Sequence, residues 1–407
     1  MSELVVYLVG QRAGRLIRKD NGNLQFRYER DYQGPAISQS MPVQSDAYPH
    51  NICRAVFGGL LLEGEAREAM ARNLGVSIGN DYAMLEALGG DCAGALTVLE
   101  VGEPLPDAPR VRELDEAQLD AVLRELPQRP LAADPSDGTR LSLAGAQPKL
   151  PAVVDDTRVA LPLNSAAATT HILKPEPERF PGLVDNEAFC MELAHAAGLP
   201  VARVEKRMSK SGLPYLLVER YDRDLTADPI GRLHQEDFCQ ALGQPSERKY
   251  QAEGGPTVRD VVELLRECSV RPAQDLITFW RALVFNWLIG NCDAHGKNFS
   301  LLYDASVPAL APLYDLVSTT LYPELTERLA MSIDGARTIG EVGAGAWVEL
   351  ASEINYSERF VVAETTTLIA RVTDGVARLA ESPTHGNETA QAVADGVARR
   401  ADAFGAP

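Results

Sequence analysis

The chain has 407 residues, of which 45% are hydrophobic and 24% are charged, and this balance excludes wholesale disorder. Its formal net charge is -18, from 57 acidic and 39 basic residues. Because an acidic surface repels phosphate backbones, we expect no autonomous non-specific binding to DNA or RNA. The same charge favours a basic protein as a partner.

Cysteine usage and hydropathy point to the cytoplasm. The six cysteines form no CxxC pair and most of them sit in apolar helical runs, which indicates reduced, buried thiols. The first residues have no basic region before their short apolar stretch, so no signal peptide is predicted. The most apolar later run, residues 276–290, contains Arg281 and Asn286 and is shorter than the about 20 residues of a spanning helix.

The first third of the chain predicts a small β-meander followed by helices. Alternating apolar residues predict three strands, two of which are joined by an Asn-Gly turn. Residues 127–140 are rich in Pro, Asp and Gly, and we interpret them as a linker and a domain boundary. The predicted strands are 4–9, 15–19 and 24–32, and the predicted helices are 52–74, 82–88 and 113–126.

The rest of the chain changes from β-rich to mainly helical. Strands are predicted at 151–156, 157–163, 170–175, 201–208 and 213–222, with one helix at 183–199. From about residue 233 the pattern is helical, apart from a hairpin over 299–316 with its turn at 305–308, and it ends in an amphipathic tail over 361–404.

This order predicts an α+β protein with a two-lobed, protein-kinase-like fold, in which a nucleotide is clamped between a β-rich N-terminal part and a mostly α-helical C-terminal lobe. The predicted domains are 1–110, a small β-rich N-terminal domain; 111–222, an N-lobe with a phosphate loop and ATP-binding strands; and 223–407, a C-lobe with a catalytic loop.

The stretch LIGNCDAHGKNFSLLYD, residues 288–304, places several polar groups directly after an apolar helix. Asp293 precedes Asn298 by five positions, which is the spacing of a kinase catalytic loop, where the aspartate accepts the hydroxyl proton and the asparagine holds Mg²⁺. A second metal-binding acid is expected downstream, and Asp315 is predicted to end a hairpin strand there. His295 and Lys297 could orient the loop or neutralise phosphate. The alternative is a helix C-cap followed by a polar turn.

The stretch LSLAGAQPKL, residues 141–150, is the second candidate. Ala144, Gly145 and Ala146 permit close approach of the backbone to an anion, Lys149 adds a positive charge and Ser142 adds a hydroxyl. The stretch lacks the terminal GK[ST] of a Walker loop, so a plain turn between strands is the alternative.

Two further segments have both a structural and a functional interpretation. Lys174 ends an apolar strand, where it either extends to solvent or reaches a phosphate. Glu187 lies in the first turn of a helix, where it either caps the helix or pairs with Lys174 as in kinases. The stretch LLVERYDR, with Glu219 and Tyr221, is either an edge strand or a hinge whose backbone binds adenine. The order of these parts is that of an ATP-dependent phosphotransferase.

Several stretches together resemble the HipA family, the serine/threonine kinase toxins of bacterial type II toxin–antitoxin modules. The resemblance is dense over about residues 135–370 and looser over the N-terminal 110 residues. The stretches that carry it are SLAGAQPKL, THILKP, VDNEAFCMELA, LLVERYDR, HQEDFCQALG, GGP, GNCDAHGKNFS and LYD.

The resemblance implies a role for each matching residue. Asp293 would be the catalytic base, Asn298 and Asp315 would hold Mg²⁺, and Ser142 matches the family's autophosphorylated serine, whose modification switches the kinase off. Pro148 departs from the expected phosphate loop, because proline fixes φ and removes an N–H, so it would restrict the loop. The implied ATP-binding residues are Ala144, Gly145, Ala146, Gln147, Lys149, Lys174, Glu219, Tyr221, His295, Lys297, Asn298, Tyr314 and Asp315.

The resemblance also implies a function and partners. The expected activity is phosphorylation of a translation component, an aminoacyl-tRNA synthetase such as glutamyl-tRNA synthetase. The expected partner is a HipB-like helix-turn-helix antitoxin, through which alone the complex would bind DNA. A small-molecule phosphotransferase and a non-catalytic co-repressor of its own operon are the alternatives.

Overall fold

The structure is a computed structural model that describes residues 2–134, 139–156, 158–304, 307–380 and 387–405. Residues 135–138 of the predicted linker, residue 157 of the predicted strand 157–163, residues 305–306 of the predicted hairpin turn and residues 381–386 of the predicted tail lie outside the described residues. The chain divides into two compact units. Unit 1 comprises residues 1–177, 207–247 and 300–307, and unit 2 comprises residues 178–206, 248–299 and 308–407.

The strands of the described residues are short and most lie in the first 240 residues. In chain order they are β1 (Ser2–Leu8), β2 (Gln11–Arg18), β3 (Leu24–Tyr28), β4 (Leu96–Glu100), β5 (Val111–Leu114), β6 (Leu150–Asp155), β7 (Arg158–Pro162), β8 (His171–Pro175), β9 (Val204–Met208), β10 (Pro214–Glu219), β11 (Arg223–Asp224), β12 (Gly231–Arg232), β13 (His234–Asp237), β14 (Ser300–Asp304), β15 (Val307–Leu310), β16 (Arg328–Ile333) and β17 (Ala336–Thr338).

In chain order, the α-helices of the described residues are α1 (His50–Cys53), α2 (Gly64–Leu74), α3 (Asp81–Leu88), α4 (Glu116–Glu125), α5 (Leu183–Ala196), α6 (Phe238–Ala241), α7 (Val258–Cys268), α8 (Pro272–Ile289), α9 (Ala344–Glu353), α10 (Glu358–Ala380) and α11 (Glu388–Gly405). The longest of them, α8, α10 and α11, lie in the second half of the chain. The predicted α+β class is therefore confirmed. No helix in the described ranges is long and apolar enough to cross a membrane.

Unit 1 contains two larger antiparallel sheets, beside the short pairs β11–β12 and β13–β14. The first has the strand order β3-β2-β1-β4, and Leu4, Val6 and Leu8 alternate inward from β1 into a core that also includes Phe26 and Phe57. The second has the order β5-β7-β6-β8-β10, and α4 packs its buried Leu123 into the core on this sheet. The predicted strands of the β-meander and of the β-rich segment are confirmed.

The predicted helix over 52–74 is wrong in its middle. A π-helical turn over Arg54–Gly58 follows α1, and the chain then leaves the helix until α2 begins at Gly64. Leu60 to Leu62 are fully buried in this break, and Leu62 forms a parallel β-bridge with Gly145. Leu60 N and Leu61 N still make turn hydrogen bonds to Phe57 O and Gly58 O, whereas Leu60 O accepts from Ser142 Oγ and Glu63 N donates to Gly145 O in tertiary contacts.

A buried ion network lies at the end of β10. Asp91 accepts hydrogen bonds from Arg223 Nη2 (3.0 Å) and from Arg232 Nε (3.1 Å) and Nη2 (3.0 Å). Asp222 pairs with Arg220 at 2.7 Å and with Arg223 at 3.0 Å. Burial by itself raises the pKa of Asp91, but the attraction of the three arginines holds that pKa well below its usual range. The network joins the first 100 residues to residues 220–232 within unit 1.

Unit 2 is built around α8. This helix is apolar on almost every side, with Phe279, Trp280 and Phe285 buried, and it packs against α7, α10 and α11. The predicted helix over 183–199 is confirmed as α5, and the predicted amphipathic tail is confirmed as α10 and α11. A helix buried all round is a rigid support for the loop that follows it.

Three details of the C-terminal half differ from the sequence prediction. Arg328–Ile333 and Ala336–Thr338, in the segment predicted to be helical, form the antiparallel pair β16 and β17. His234–Asp237 is not helical but forms β13, which pairs antiparallel with β14, because four residues are too few to show a period of two. Asp315 does not end a strand. The strand β15 ends at Leu310, and Asp315 lies beyond it with a φ of 59°.

Candidate functional site

The loop that carries Asp293 begins where α8 stops. Gly290 ends the helix in the left-handed conformation, with a φ of 79°. A Cβ at this position would lie 2.3 Å from Thr320 Oγ1, so both the backbone conformation and the space require glycine. The Oγ1 of the neighbouring Thr319 then accepts a hydrogen bond from Cys292 N at 2.8 Å, which fixes the first residues of the loop.

A chain of buried amides connects α8 to Asp293. Asn286 donates from Nδ2 to Ala282 O at 2.8 Å and accepts at Oδ1 from Asn291 Nδ2 at 2.7 Å. Asn291 in turn accepts at Oδ1 from Asp293 N at 3.0 Å. Because buried amides are costly to leave without partners, this arrangement fixes where the loop places Asp293.

Asp293 is exposed, and its carboxylate is held by a tyrosine from a distant segment. Tyr250 Oη donates to Asp293 Oδ1 at 2.6 Å. The backbone carbonyl of Asp293 also accepts from His295 N at 2.8 Å, which tightens the turn after it. An exposed, oriented carboxylate of this kind can accept a proton from a bound hydroxyl group.

Asn298 and Asp315 are brought together, as their predicted shared role requires. Asn298 Nδ2 donates to Asp315 Oδ2 at 3.1 Å. Asn298 Oδ1 is buried and has no hydrogen-bond partner among the described residues. Asp315 has a left-handed φ of 59°, a sparsely populated conformation for a residue other than glycine and one that is often found at functional sites.

These two side chains fit a magnesium ion. Mg²⁺ prefers hard oxygen ligands and is commonly held by one or two protein oxygens together with waters and phosphates. The buried Asn298 Oδ1 and the carboxylate of Asp315 are ligands of that type. Among the described residues there is no group of three or more His, Cys, Asp and Glu that could hold a metal ion, so a cage of the zinc kind is absent there.

The other predicted residues of this loop are buried around Asn298. His295 and Lys297 are 6% and 8% exposed, and the carbonyl of Lys297 accepts from Tyr314 Oη at 2.7 Å. Asn298 N donates to His295 O at 2.9 Å. Six predicted residues, Asp293, His295, Lys297, Asn298, Tyr314 and Asp315, thus lie in one hydrogen-bonded cluster of unit 2.

The helix α5 fixes the segment after Asp315. Asn186 is fully buried, donates from Nδ2 to Ser318 O at 3.0 Å and accepts at Oδ1 from Ser318 N at 2.8 Å. The neighbouring Asp185 pairs with Lys206. The side-chain amide of Asn186, in the VDNEAF stretch, therefore forms an amide clamp that fixes the backbone of Ser318, three residues beyond Asp315. The sequence alone did not assign a role to Asn186.

The second candidate loop lies in unit 1. Lys149 Nζ donates to Ala144 O at 2.7 Å, so the lysine closes the loop over Gly145. Gly145 O accepts from Glu63 N at 3.2 Å, which attaches the loop to the break between α1 and α2. Ala146 is exposed, whereas Gln147 and Pro148 are half-buried. A lysine beside a loop of small residues is an arrangement that can bind phosphate.

Ser142 is held at the base of this loop. It is 1% exposed, its Oγ donates to Leu60 O at 2.8 Å and its backbone N donates to Asp91 O at 3.0 Å. The hydroxyl is therefore shielded from any phosphate donor in this conformation. A local opening of residues 141–149 away from Leu60 is needed before Ser142 can react.

The remaining predicted residues lie along β8 and β10 of unit 1. Lys174 is 7% exposed on β8, in register with Leu216 of β10. Glu219 is half-buried at the end of β10, and Tyr221 follows it and donates its hydroxyl to Gln235. The pairing of Lys174 with Glu187 stays a prediction.

Comparison with known proteins gives concordant matches over almost the whole chain. A family model described as HipA-like C-terminal domain matches residues 141–379, and one described as HipA N-terminal domain matches residues 4–99. The protein Y4mE of Sinorhizobium fredii is 47% identical over 93% of this chain and 92% of its own length. The serine/threonine-protein kinase toxin HipA of Shewanella oneidensis is 30% identical over 86% of this chain and 83% of its own length.

A solved structure has the same fold. It is that of the Shewanella oneidensis MR-1 toxin–antitoxin system HipA, HipB and its operator DNA complex. The TM-score is 0.85 at 25% sequence identity, and the match covers 98% of this chain and 97% of that chain.

Proposed function

The chain belongs to the HipA family, and from this premise we propose that it is an ATP-dependent serine/threonine protein kinase that acts as a toxin. Relatives of this chain are named as kinases, which implies ATP as the phosphate donor. The finer parts of the proposal concern its residues, its substrate and its partners, and the roles of the residues rest on the geometry of each unit taken by itself.

The observation that carries the proposal is the cluster around Asp293. An acceptor hydroxyl oxygen attacks the γ-phosphorus of ATP, the bond to the β,γ-bridging oxygen breaks and ADP leaves. The proton of the hydroxyl passes to the exposed carboxylate of Asp293. Asn291 accepts a hydrogen bond from the backbone N of Asp293, and Tyr250 donates one to its carboxylate. Asp293 is therefore oriented before the acceptor binds.

Asn298 and Asp315 are the residues that we propose as ligands of Mg²⁺. The ion, when bound, neutralises charge on the phosphates of ATP. Asn298 contributes its amide oxygen, and its amide N–H orients the carboxylate of Asp315 through the 3.1 Å hydrogen bond. His295, Lys297 and Tyr314 maintain the position of both side chains by the contacts described above.

In unit 1 we propose that Lys149 and Lys174 bind the phosphates of ATP, and that the backbone of Glu219 to Tyr221 binds adenine. The loop residues Ala144, Gly145, Ala146 and Gln147 supply the small side chains and the backbone groups around the phosphates. A substitution of either lysine is expected to weaken ATP binding. Substitution of Lys149 should also leave the fold intact, because this residue is only half-buried and its bond to Ala144 is local.

Self-inactivation is proposed to occur at Ser142. The burial of its hydroxyl against Leu60 means that phosphorylation must trap an opened loop, since a dianionic phosphoserine cannot return to that site. The rate of self-phosphorylation is then limited by loop opening, to which Pro148 adds stiffness.

The proposed partner is a HipB-like helix-turn-helix antitoxin, and the proposed substrate is an aminoacyl-tRNA synthetase such as glutamyl-tRNA synthetase. The partner is supported by the solved HipA, HipB and operator DNA complex, which this fold matches. A net charge of -18 fits a basic partner, so we expect the chain to bind operator DNA only together with the antitoxin.

The test uses the purified chain, its Asp293→Asn variant, Mg²⁺ and ATP labelled on the γ-phosphate, with a panel of purified aminoacyl-tRNA synthetases. Label on one synthetase with the wild-type chain and not with the variant is the expected result. Label recovered only in small molecules would identify a small-molecule phosphotransferase. Absence of transfer from the wild-type chain to any protein, itself included, would overturn the proposal in favour of a co-repressor without catalysis.

A further inference from the structure

We propose that Tyr250 is a positioning residue that orients the carboxylate of Asp293 for proton transfer. This inference rests on the proposed function of the same site. Its basis is the hydrogen bond of 2.6 Å from Tyr250 Oη to Asp293 Oδ1, which joins residues 43 positions apart in the chain. Both residues belong to unit 2.

The backbone of Tyr250 is fixed by the turn that follows it. Its carbonyl oxygen accepts from Glu253 N at 2.9 Å and from Gly255 N at 3.0 Å. A Cβ at Gly255 would lie 2.0 Å from Arg248 O, so no other residue fits without moving the backbone beside Tyr250. The GGP stretch at 254–256 therefore has a physical reason, which is to close the turn that carries this tyrosine.

The ring of Tyr250 packs against the loop that carries Asp293. The ring of His295 packs edge-on against it, with centroids 5.1 Å apart and an interplanar angle of 80°. Lys249 Nζ lies 5.5 Å from the ring centroid, within the range of a cation–π contact. Lys249 O also accepts from Gly296 N at 3.3 Å. These contacts bind the segment 249–250 to residues 295–296, directly beside Asp293.

The chemical consequence concerns the two oxygens of Asp293. A phenol that donates to one carboxylate oxygen restricts rotation of the carboxylate and favours its ionised form. The carboxylate that Tyr250 holds at Oδ1 is thereby oriented to receive the proton of the attacking hydroxyl group. Loss of the phenolic hydroxyl should slow transfer without weakening ATP binding, since Tyr250 is not among the residues assigned to the nucleotide.

The first test is Tyr250→Phe in the full-length chain, which keeps the ring and removes only the hydroxyl. We measure the rate of phosphate transfer to the chain itself and to any labelled synthetase, over a range of pH and ATP concentration. The expected result is a fall in kcat of about ten- to a hundredfold, with the KM for ATP within about twofold of wild type. The acid limb of the pH–rate profile should also move to higher pH.

The matched control is Tyr356→Phe. Tyr356 lies in the same unit and donates its hydroxyl only weakly, to Leu276 O at 3.4 Å, away from the loop of Asp293. This variant should retain the wild-type rate and pH profile. A Tyr250→Phe variant with wild-type kcat and pH profile would overturn the positioning role.

A second measurement does not depend on activity. The exposed Asp293 is coupled to glycine ethyl ester by a water-soluble carbodiimide, which reacts with protonated carboxyls, and the modified peptide is quantified against pH. Tyr250→Phe should raise the pH midpoint of labelling, whereas an unchanged midpoint would overturn the inference. If wild type transfers no phosphate but the midpoint still moves, Tyr250 does hold the carboxylate of Asp293, and it is the proposed kinase function that fails.

Discussion

Replacement of Asp91 by asparagine tests the buried ion network of unit 1, because the change removes one charge and almost no volume. The carboxylate of Asp91 accepts five hydrogen bonds, from Thr169 N and Oγ1, Arg223 Nη2, and Arg232 Nε and Nη2. Arg220 Nη1 lies 3.6 Å from it. An asparagine side chain would present an N–H₂ group to donors that need an acceptor.

The expected cost follows from the charges that remain. Arg220, Arg223 and Arg232 are opposed by Asp91 and Asp222, and only Asp222 is left in the variant. Burial, with the neighbouring Arg220, already lowers the pKa of Arg223 to about 10. Removal of one partner of a buried ion pair typically costs about 3–5 kcal/mol, and we expect a loss of that size in the free energy of unfolding of unit 1.

The assay must report on unit 1 alone. The three tryptophans, Trp280, Trp287 and Trp347, all lie in unit 2, so tryptophan fluorescence would miss the effect. Amide hydrogen exchange in peptides from β1 and β10 measures the free energy of opening directly. Asp155→Asn, which removes an exposed pair with Arg158, is the control and should leave exchange unchanged. A loss below about 1 kcal/mol in Asp91→Asn would refute the electrostatic reasoning.

Three other changes have defined outcomes. Asn298→Ala should raise the Mg²⁺ concentration for half-maximal transfer at least about tenfold, measured by titration at saturating ATP; an unaltered requirement would remove Asn298 from the metal site. Ser142→Ala should abolish self-phosphorylation but not transfer to other proteins, measured by mass spectrometry; unchanged modification would place the site elsewhere. Burial raises the pKa of Glu236 from 4.5 to about 7, so its contribution to stability is full below pH 4.5 and is lost as the pH rises through 7. Glu236→Gln should therefore stabilise the protein at pH 8 by up to about 3 kcal/mol in urea denaturation, and by less than about 1 kcal/mol at pH 5. The buried His234, whose pKa is lowered to about 4, changes stability only below about pH 6.5 and does not affect the comparison at pH 8.

Features that are set by residues close together in the chain could be predicted from the sequence. The spacing of Asp293 and Asn298 after a buried helix predicted a polar loop on a rigid support, and α8 with its Gly290 end has that form. The small residues at 144–146 beside Lys149 predicted either a turn or a phosphate-binding loop; the structure shows a loop that the bond from Lys149 to Ala144 O closes, and phosphate binding stays a prediction.

What could not be predicted depends on contacts between distant residues. Tyr250 meets Asp293 across 43 positions, and nothing in the stretch SERKYQ marks its partner. The amide clamp of Asn186 on Ser318 spans 132 positions. The left-handed φ of Asp315 also has no local signal, because the surrounding APLYDL looks like a strand end and only tertiary packing holds the residue out of it.

The broken helix over 52–74 and the strand β13 were missed for a related reason. Apolar residues at 60–62 continue the helical pattern, but their backbone is used in contacts with the loop at Gly145. The four residues of β13 are all polar, so their pairing with β14 comes from the partner strand and not from their own pattern.

The most direct measurement of the central claim is the intact mass of the full-length chain after incubation with Mg²⁺ and ATP, beside its Asp293→Asn variant. The account predicts one added phosphate in the wild-type chain, located on Ser142, and none in the variant. The same added phosphate in both chains, or none in either, would contradict the assignment of Asp293 as the base of a self-modifying kinase.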